Sequence, residues 1–155
     1  MAASNTRKRK TAWIIEIKNQ QKKVRLNLPR IKKIASKILK LSKVSGAHLS
    51  IAFISNQKIK ILNKQYLRHD YPTDVISFDF SEKKQRVKYL NGEILVSAEM
   101  AAQNARTFGT NAEQQIILYI LHGTLHLLGY NDHTPNEIKQ MRKTEEKLMS
   151  ALKIR

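Results

Sequence analysis

The 155-residue sequence has no cysteine, so no disulfide supports its fold, and a bound metal would rely on histidine, aspartate or glutamate ligands. Acidic residues are also scarce, with 12 Asp and Glu against 29 Lys and Arg and a formal net charge of +17. This imbalance favours a polyanionic partner, most commonly nucleic acid. A lysine-rich surface with no such partner would have the same composition.

Long hydrophobic runs are missing as well. The longest, residues 116–121, is far too short to span a bilayer. The start of the chain is basic but lacks the apolar core of a secretory signal peptide. We therefore expect a cytoplasmic protein with no membrane association, in which residues 1–11 form a flexible basic tail. A remnant of an organelle-targeting segment stays an alternative for that tail.

The length suits a single domain over residues 1–155, and no stretch resembles an interdomain linker or an internal repeat. The apolar periodicity predicts the order β-α-β-α-β-β-α-α-α, with residues 81–92 as a polar loop. The strands are expected at residues 12–18, 48–54, 74–80 and 92–97. This order predicts an α+β fold, in which a single small mixed sheet of about four strands packs against helices.

The predicted helices have recognisable ends. Ser55 and Ser97 are expected to cap the helices that follow them. Two later helices show a capping box, a threonine followed three residues on by a glutamate, at positions 110 and 113 and at positions 134 and 137. The first of these two helices is apolar nearly all round and is therefore expected to be buried. Gly129 is expected to end it.

That buried helix contains the stretch LHGTLHLLGYNDH, residues 121–133. His122 and His126 are four residues apart, so one face of a helix directs two ring nitrogens at the same ion. After the turn, His133 is the expected third ligand, and Asp132 is the rival for that position. Three protein ligands with an open position are typical of a catalytic, zincin-like site. Three separately hydrogen-bonded histidines are the alternative.

Gly123 stands where zinc proteases of the H-E-x-x-H type carry the glutamate that acts as general base. Because glycine has no side chain to transfer a proton, the pattern favours a different metal-dependent hydrolase. The base stays open between a metal-bound water, Glu93 and a hydroxyl of the substrate. A zinc peptidase-like hydrolase that uses another base, such as Glu99, is the second hypothesis.

Three segments resemble motifs of the YbeY family of bacterial and organellar endoribonucleases. HGTLHLLGYNDH (residues 122–133) is similar to the family signature H-G-x-x-H-L-x-G-Y-D-H. LNKQYLRHDYPTDVISF (residues 62–78) resembles its central motif, and LNGEILVSAEMAAQNA (residues 90–105) resembles a strand and the helix after it. The motifs occur in the family's order.

The resemblance implies a single α+β domain in which His122, His126 and His133 bind one Zn²⁺ ion, the first two serving in catalysis. It implies cleavage of single-stranded RNA in the cytoplasm, in maturation of the small-subunit (16S) ribosomal RNA and in ribosome quality control. The implied partners are ribosomal RNA, the ribosome and small-subunit assembly factors. A non-catalytic, metal-containing ribosome assembly factor is the third hypothesis.

The chain departs from the family pattern in two places. It has G-Y-N-D-H where the family has G-Y-D-H, so either Asn131 bulges and His133 still reaches the metal, or Asp132 takes the ligand position. The position of a functional arginine in the family corresponds to Leu67 here. We expect the neighbouring Arg68 to supply that charge in catalysis and RNA binding.

Two further features suggest roles around this site. The helix predicted over residues 29–43 has a basic face, on which Lys37 and Lys40 are candidate RNA contacts. A solvated helix face would look the same. Asp74, at the start of a predicted strand, either orients a metal-bound histidine or is simply a turn residue.

Overall fold

The computed structural model describes residues 13–82 and 89–154, and the predicted basic tail over residues 1–11 lies outside them. The elements follow the predicted order: β1 (Trp13–Asn19), α1 (Leu28–Leu41), β2 (Gly46–Ile54), α2 (Asn56–Leu67), β3 (Val75–Asp79), β4 (Tyr89–Ser97), α3 (Ala98–Phe108), α4 (Ala112–Leu127) and α5 (Pro135–Leu152). In this described part of the chain, no helix has both the length and the apolar character needed to cross a membrane.

Within the described ranges the strands form one mixed sheet in the order β1-β2-β4-β3. The first three of these are parallel, and β3 runs antiparallel to β4 at the edge, with Ser77 opposite Ile94. The predicted α+β class, with a small mixed sheet of four strands packed against helices, is therefore confirmed.

The two faces of the sheet support cores of different size. Successive residues of a strand point to opposite faces, so Ile51 and Phe53 of β2 belong to the larger core, with α1, α4 and α5. Ala52 and Ile54 of the same strand pack with Ile59 of α2 in a smaller cluster on the other face. The histidine-bearing helix α4 thus lies in the larger core, against β3 and β4.

Strand β4 begins at Tyr89, three residues before its predicted start at Gly92. Tyr89 pairs with Gly46 at the start of β2, so the parallel ladder extends into the segment predicted as a polar loop. A Cβ on Gly92 would lie 2.6 Å from the carbonyl oxygen of Phe78 and 2.8 Å from the side chain of Leu127. The missing side chain therefore lets the last residue of α4 pack against the sheet.

The capping box predicted at positions 110 and 113 is wrong by one residue. Asn111 is the N-cap of α4, and its Oδ1 atom accepts a hydrogen bond of 2.8 Å from the backbone N–H of Gln114. The Gln114 side chain accepts in return from the backbone N–H of Asn111 at 3.1 Å. Asparagine caps a helix at least as well as threonine, and Thr110 instead accepts a hydrogen bond from Gln115.

The other predicted helix ends are confirmed. Ser55 and Ser97 cap α2 and α3 through their side-chain oxygens. Thr134 and Glu137 form the predicted capping box of α5. Gly129 follows the end of α4 with φ +100°, a left-handed conformation that favours glycine and turns the chain back toward the histidines.

Candidate metal centre

The end of α4 and the turn after it bring three side chains together. His122 and His126 lie one helical turn apart, and their Nε2 atoms are 3.0 Å from each other. The turn returns Asp132 so that its Oδ2 atom lies 3.4 Å from both Nε2 atoms. Within the ranges that the structure describes, these three residues form the group of side chains that could hold a metal ion.

The second nitrogen of each ring has a partner of its own. Nδ1 of His126 is 3.0 Å from the carbonyl oxygen of Tyr130, and Nδ1 of His122 is 2.5 Å from Oε1 of Glu145 on α5. Because both partners accept hydrogen bonds, each neutral ring carries its proton on Nδ1 and presents a lone pair at Nε2. Two lone pairs and a carboxylate oxygen therefore converge, an arrangement that a shared cation stabilises.

The spacing of these three atoms suits a tetrahedral ion. Bonds of about 2.0–2.1 Å at tetrahedral angles place neighbouring ligand atoms about 3.3 Å apart. The three separations here are 3.0, 3.4 and 3.4 Å. The side chains of His122, His126 and Asp132 also stay 25%, 29% and 36% exposed, which leaves a fourth position accessible to water or a substrate.

A cavity of about 350 Å³ opens beside this group. Helix α4, the turn after it, helix α5 and the residue before β3 contribute its polar lining: Asp74, Tyr119, His122, Asp132, Arg142 and Glu145. A substrate group bound there would lie beside His122 and Asp132, two of the three residues that converge.

The charges around His122 favour a cation at this site. Burial of the imidazole lowers its pKa, but the hydrogen bond to Glu145 and the negative charges of Glu145, Asp132 and Asp74 outweigh burial and raise the pKa above the ordinary 6.5. The carboxylates that stabilise the imidazolium also attract a metal ion. A proton and a metal ion therefore compete for Nε2 of His122.

Gly123 faces the sheet and not the converging nitrogens. A Cβ at this position would lie 2.9 Å from Oγ of Ser77 and 3.0 Å from Cγ2 of Ile94. The Ser77 hydroxyl also donates a hydrogen bond of 3.1 Å to the carbonyl oxygen of Gly123. A glutamate here would have to enter the space between α4 and the sheet, so this helix does not place a protease-type base beside the converging nitrogens.

Residues 16–153 match the family model described as Endoribonuclease YbeY. This chain belongs to the YbeY family. The resemblance seen in three motifs is thereby confirmed and extends over most of the sequence.

Relatives named Endoribonuclease YbeY also match this chain over most of its length. The protein of Syntrophus aciditrophicus is 35% identical over 144 residues, which cover 89% of this chain and 89% of the relative. The protein of Parabacteroides distasonis is 35% identical over 132 residues, which cover 82% of this chain and 90% of the relative. A solution structure of a Thermotoga maritima protein matches with a TM-score of 0.64 and 29% identity, covering 90% of this chain and 89% of that one.

Asp132, and not His133, lies at the histidine pair in this YbeY chain. The side chain of His133 is exposed, and its backbone N–H donates a hydrogen bond of 2.9 Å to Oε2 of Glu137. The same carboxylate accepts from the backbone N–H of Thr134 at 3.1 Å, as part of the α5 cap. Because the cap fixes the backbone at these two residues, the residue before them faces the ring nitrogens.

Arg68 is not among the residues that line the metal cavity. It is the C-cap of α2, in a left-handed conformation with φ 60°. Its side chain is exposed and makes no hydrogen bond or ion pair with the described residues. The structure therefore places this predicted residue on the surface after α2, next to Leu67.

The remaining predicted residues lie in other parts of the molecule. Lys37 and Lys40 line a separate groove of about 770 Å³ between α1 and β1. Glu93 lines a pocket on the α2 side of the sheet, and Glu99 accepts a backbone hydrogen bond from Asn56. Neither glutamate lines the metal cavity. Asp74 does line it, but its carboxylate accepts hydrogen bonds from Thr73 and the backbone N–H of Val75 and not from a histidine.

The sequence motifs do not indicate the contribution of α5. Glu145 and Arg142 lie beyond the last recognised motif, on a helix whose charged residues suggest a solvated surface. The usable signal is spacing, because residues at i, i+3, i+4 and i+7 share one helix face. That face consists of Ile138, Met141, Arg142 and Glu145, all of which line the cavity.

Proposed function

We propose that this chain is a Zn²⁺-dependent endoribonuclease that cleaves single-stranded RNA, acting in small-subunit ribosomal RNA maturation and ribosome quality control. One observation carries the proposal: in a member of the YbeY family, two imidazole nitrogens and a carboxylate oxygen converge beside an open cavity. The relatives' names describe endoribonucleases, and a net charge of +17 suits an RNA substrate.

The proposed ligands of the ion are His122, His126 and Asp132. Two histidines and one carboxylate are a ligand set that catalytic zinc sites use, with the fourth position open. When bound, the ion would polarise a phosphoryl oxygen or lower the pKa of a water molecule to about 7.

The surrounding residues would position these ligands and the nucleophile. Glu145 and the carbonyl of Tyr130 would keep the two imidazoles in the tautomer that presents Nε2. Asp74 lines the cavity but is neither a proposed ligand nor hydrogen-bonded to a histidine. We therefore assign Asp74 to orient the attacking hydroxyl and accept its proton.

Basic residues outside the cavity would bind the rest of the RNA. Lys37 and Lys40, which line a groove rich in lysine, and the exposed Arg68 stay as predicted phosphate contacts. The proposed partners are ribosomal RNA and the assembling small subunit. A bacterial ribosomal RNA substrate would place this activity in the cytoplasm.

The test is metal content and RNA cleavage, measured side by side for the wild type, His126→Ala and His69→Ala. His69 is a matched control, because its ring lies next to Tyr71 in the loop before β3 and does not line the metal cavity. We expect one zinc per chain and cleavage of single-stranded but not duplex RNA. Both should be lost in His126→Ala and retained in His69→Ala.

Two results would contradict the proposal. The first is a wild type that binds zinc but never cleaves RNA, and whose affinity for RNA is the same with and without the metal. This result would support the hypothesis of a non-catalytic assembly factor. Cleavage of peptides and not RNA indicates the peptidase. The peptidase has little support from the geometry, since Gly123 packs against the sheet and Glu99 lies outside the cavity.

A further inference from the structure

The cavity beside the proposed metal ligands has an uneven distribution of charge. Three carboxylates line it, those of Asp74, Asp132 and Glu145. Among the described residues that line the cavity, Arg142 is the only lysine or arginine. An RNA phosphodiester is an anion, so a cavity lined by these carboxylates would repel it without a compensating positive charge.

The guanidinium of Arg142 changes the net charge of the cavity. With neutral imidazoles, the three carboxylates and Arg142 give the described lining of the cavity two net negative charges, which a divalent ion would balance. Without Arg142, the metal-loaded cavity would keep a net negative charge and oppose the entry of a phosphate. Arg142 is therefore the side chain that makes the loaded cavity acceptable to an anion.

Helix α5 places Arg142 on its cavity-facing side. Arg142 lies one turn before Glu145 and directly after the buried Met141, and all three residues line the cavity. The Glu145 carboxylate is hydrogen-bonded to His122. Among the described residues Arg142 has no hydrogen-bond or ion-pair partner for its exposed side chain, so its five N–H donors are free for a ligand.

We propose that Arg142 binds an RNA phosphodiester next to the metal ligands, donating two parallel hydrogen bonds to its non-bridging oxygens. This inference rests on the proposed function, and it names the side chain that holds the phosphate in the cavity. The planar guanidinium matches the geometry of a phosphate in a way that a lysine does not. Arg142 would also stabilise the negative charge that develops at phosphorus during cleavage.

The test compares Arg142→Ala and Arg142→Lys with Lys143→Ala, all loaded with zinc. Lys143 is a matched control, because it is the next residue of α5, is exposed and does not line the cavity. The probe is a single-stranded 2′-O-methyl RNA, checked for integrity afterwards, whose affinity is measured by fluorescence anisotropy over a range of salt concentrations. Cleavage of unmodified RNA gives kcat and KM for the same proteins.

Arg142→Ala should weaken RNA binding about tenfold, as expected for the loss of a hydrogen bond to a charged group. The slope of log affinity against log salt should become shallower by about 0.7, the value for one phosphate contact to a single strand. Arg142→Lys should keep the slope, since the charge remains, yet lose part of kcat because the paired geometry is gone. Zinc content should stay unchanged in every variant.

Several outcomes would overturn the inference. Equal effects of Arg142→Ala and Lys143→Ala would show that only the general surface charge matters. A change of slope in Arg68→Ala that is absent from Arg142→Ala would assign the phosphate to Arg68. Both results leave the endoribonuclease proposal intact, because the wild type still binds and cleaves RNA. A zinc-loaded wild type that does neither would overturn the proposed function and this inference together.

Discussion

Nδ1 of His122 lies 2.5 Å from Oε1 of Glu145, and this hydrogen bond joins the helix that carries two of the three proposed metal ligands to α5. The Glu145 side chain is only 15% exposed, so water competes weakly for the bond. The contact fixes the imidazole in the tautomer that presents Nε2 to an ion. It also makes α5 part of the site, because the neighbouring turn of the same helix lines the cavity.

Glu145→Gln should therefore lower zinc affinity. The amide oxygen of glutamine still accepts a hydrogen bond, but the negative charge that polarises the imidazole is lost. Loss of such a partner behind a metal ligand typically costs about 10–100-fold in affinity. Chelator competition would measure the change, with Glu146→Gln, the exposed next residue, as control. Equal affinities in the two variants would show that the hydrogen bond does not tune the ligand.

The identity of the third metal ligand can be tested by replacing each of two adjacent residues, Asp132 and His133, with alanine. Asp132→Ala should reduce zinc affinity by more than about 100-fold, beyond the range for a residue that only supports a ligand. His133→Ala should leave zinc affinity unchanged, because His133 is exposed and is not in the group of side chains that could hold the ion. The measurement is zinc stoichiometry after dialysis against a weak chelator. Zinc lost from His133→Ala and kept by Asp132→Ala would restore the three-histidine site expected from the resemblance.

Gly123→Ala should destabilise the fold although alanine favours helices by about 1 kcal/mol over glycine. The new Cβ would press on Ser77 and on the fully buried Ile94. Overpacking of this kind costs about 1–3 kcal/mol. Denaturant unfolding of Gly123→Ala, Ser77→Ala and the double variant forms a cycle, in which the double variant should recover part of the loss. A single variant more stable than the wild type would contradict the close packing.

Sequence patterns predicted the elements and the approach of His122 to His126 because both depend on local spacing. The order of strands and helices follows from apolar periodicity, and a four-residue spacing on one helix brings His122 and His126 together wherever that helix lies. The capping box at Thr134 is equally local. Predictions of this kind need no knowledge of how distant segments pack.

The rest of the site depends on tertiary packing. Which of Asp132 and His133 faces the histidine pair is decided by the cap of α5, whose glutamate holds the backbone of the turn. The approach of Glu145 and Arg142 requires α5 to pack beside α4, across a separation that sequence spacing does not encode. The N-cap of α4 is one residue later than predicted, because Thr110 and the adjacent Asn111 can both cap a helix and sequence alone does not choose between them.

The raised pKa of His122 predicts how the metal-free protein responds to pH. A group whose pKa is higher in the folded than in the unfolded state stabilises the fold while it is protonated. This contribution is complete below the unfolded value of 6.5 and is lost as pH rises through the higher pKa of the folded protein. The metal-free wild type should therefore lose this part of its free energy of unfolding as the pH rises above 6.5.

Glu145→Gln isolates that contribution, since the hydrogen bond to Glu145 and its charge are the strongest of the interactions that raise the pKa of His122. The measurement is the free energy of unfolding in chelator, from about pH 5.5 to 8.5, for the wild type and the variant. Their difference should be largest at the acid end and shrink as pH rises. A difference that stays constant over this pH range would mean that the imidazole is neutral in the folded protein throughout, and that the Glu145 carboxylate only accepts a hydrogen bond from a neutral ring.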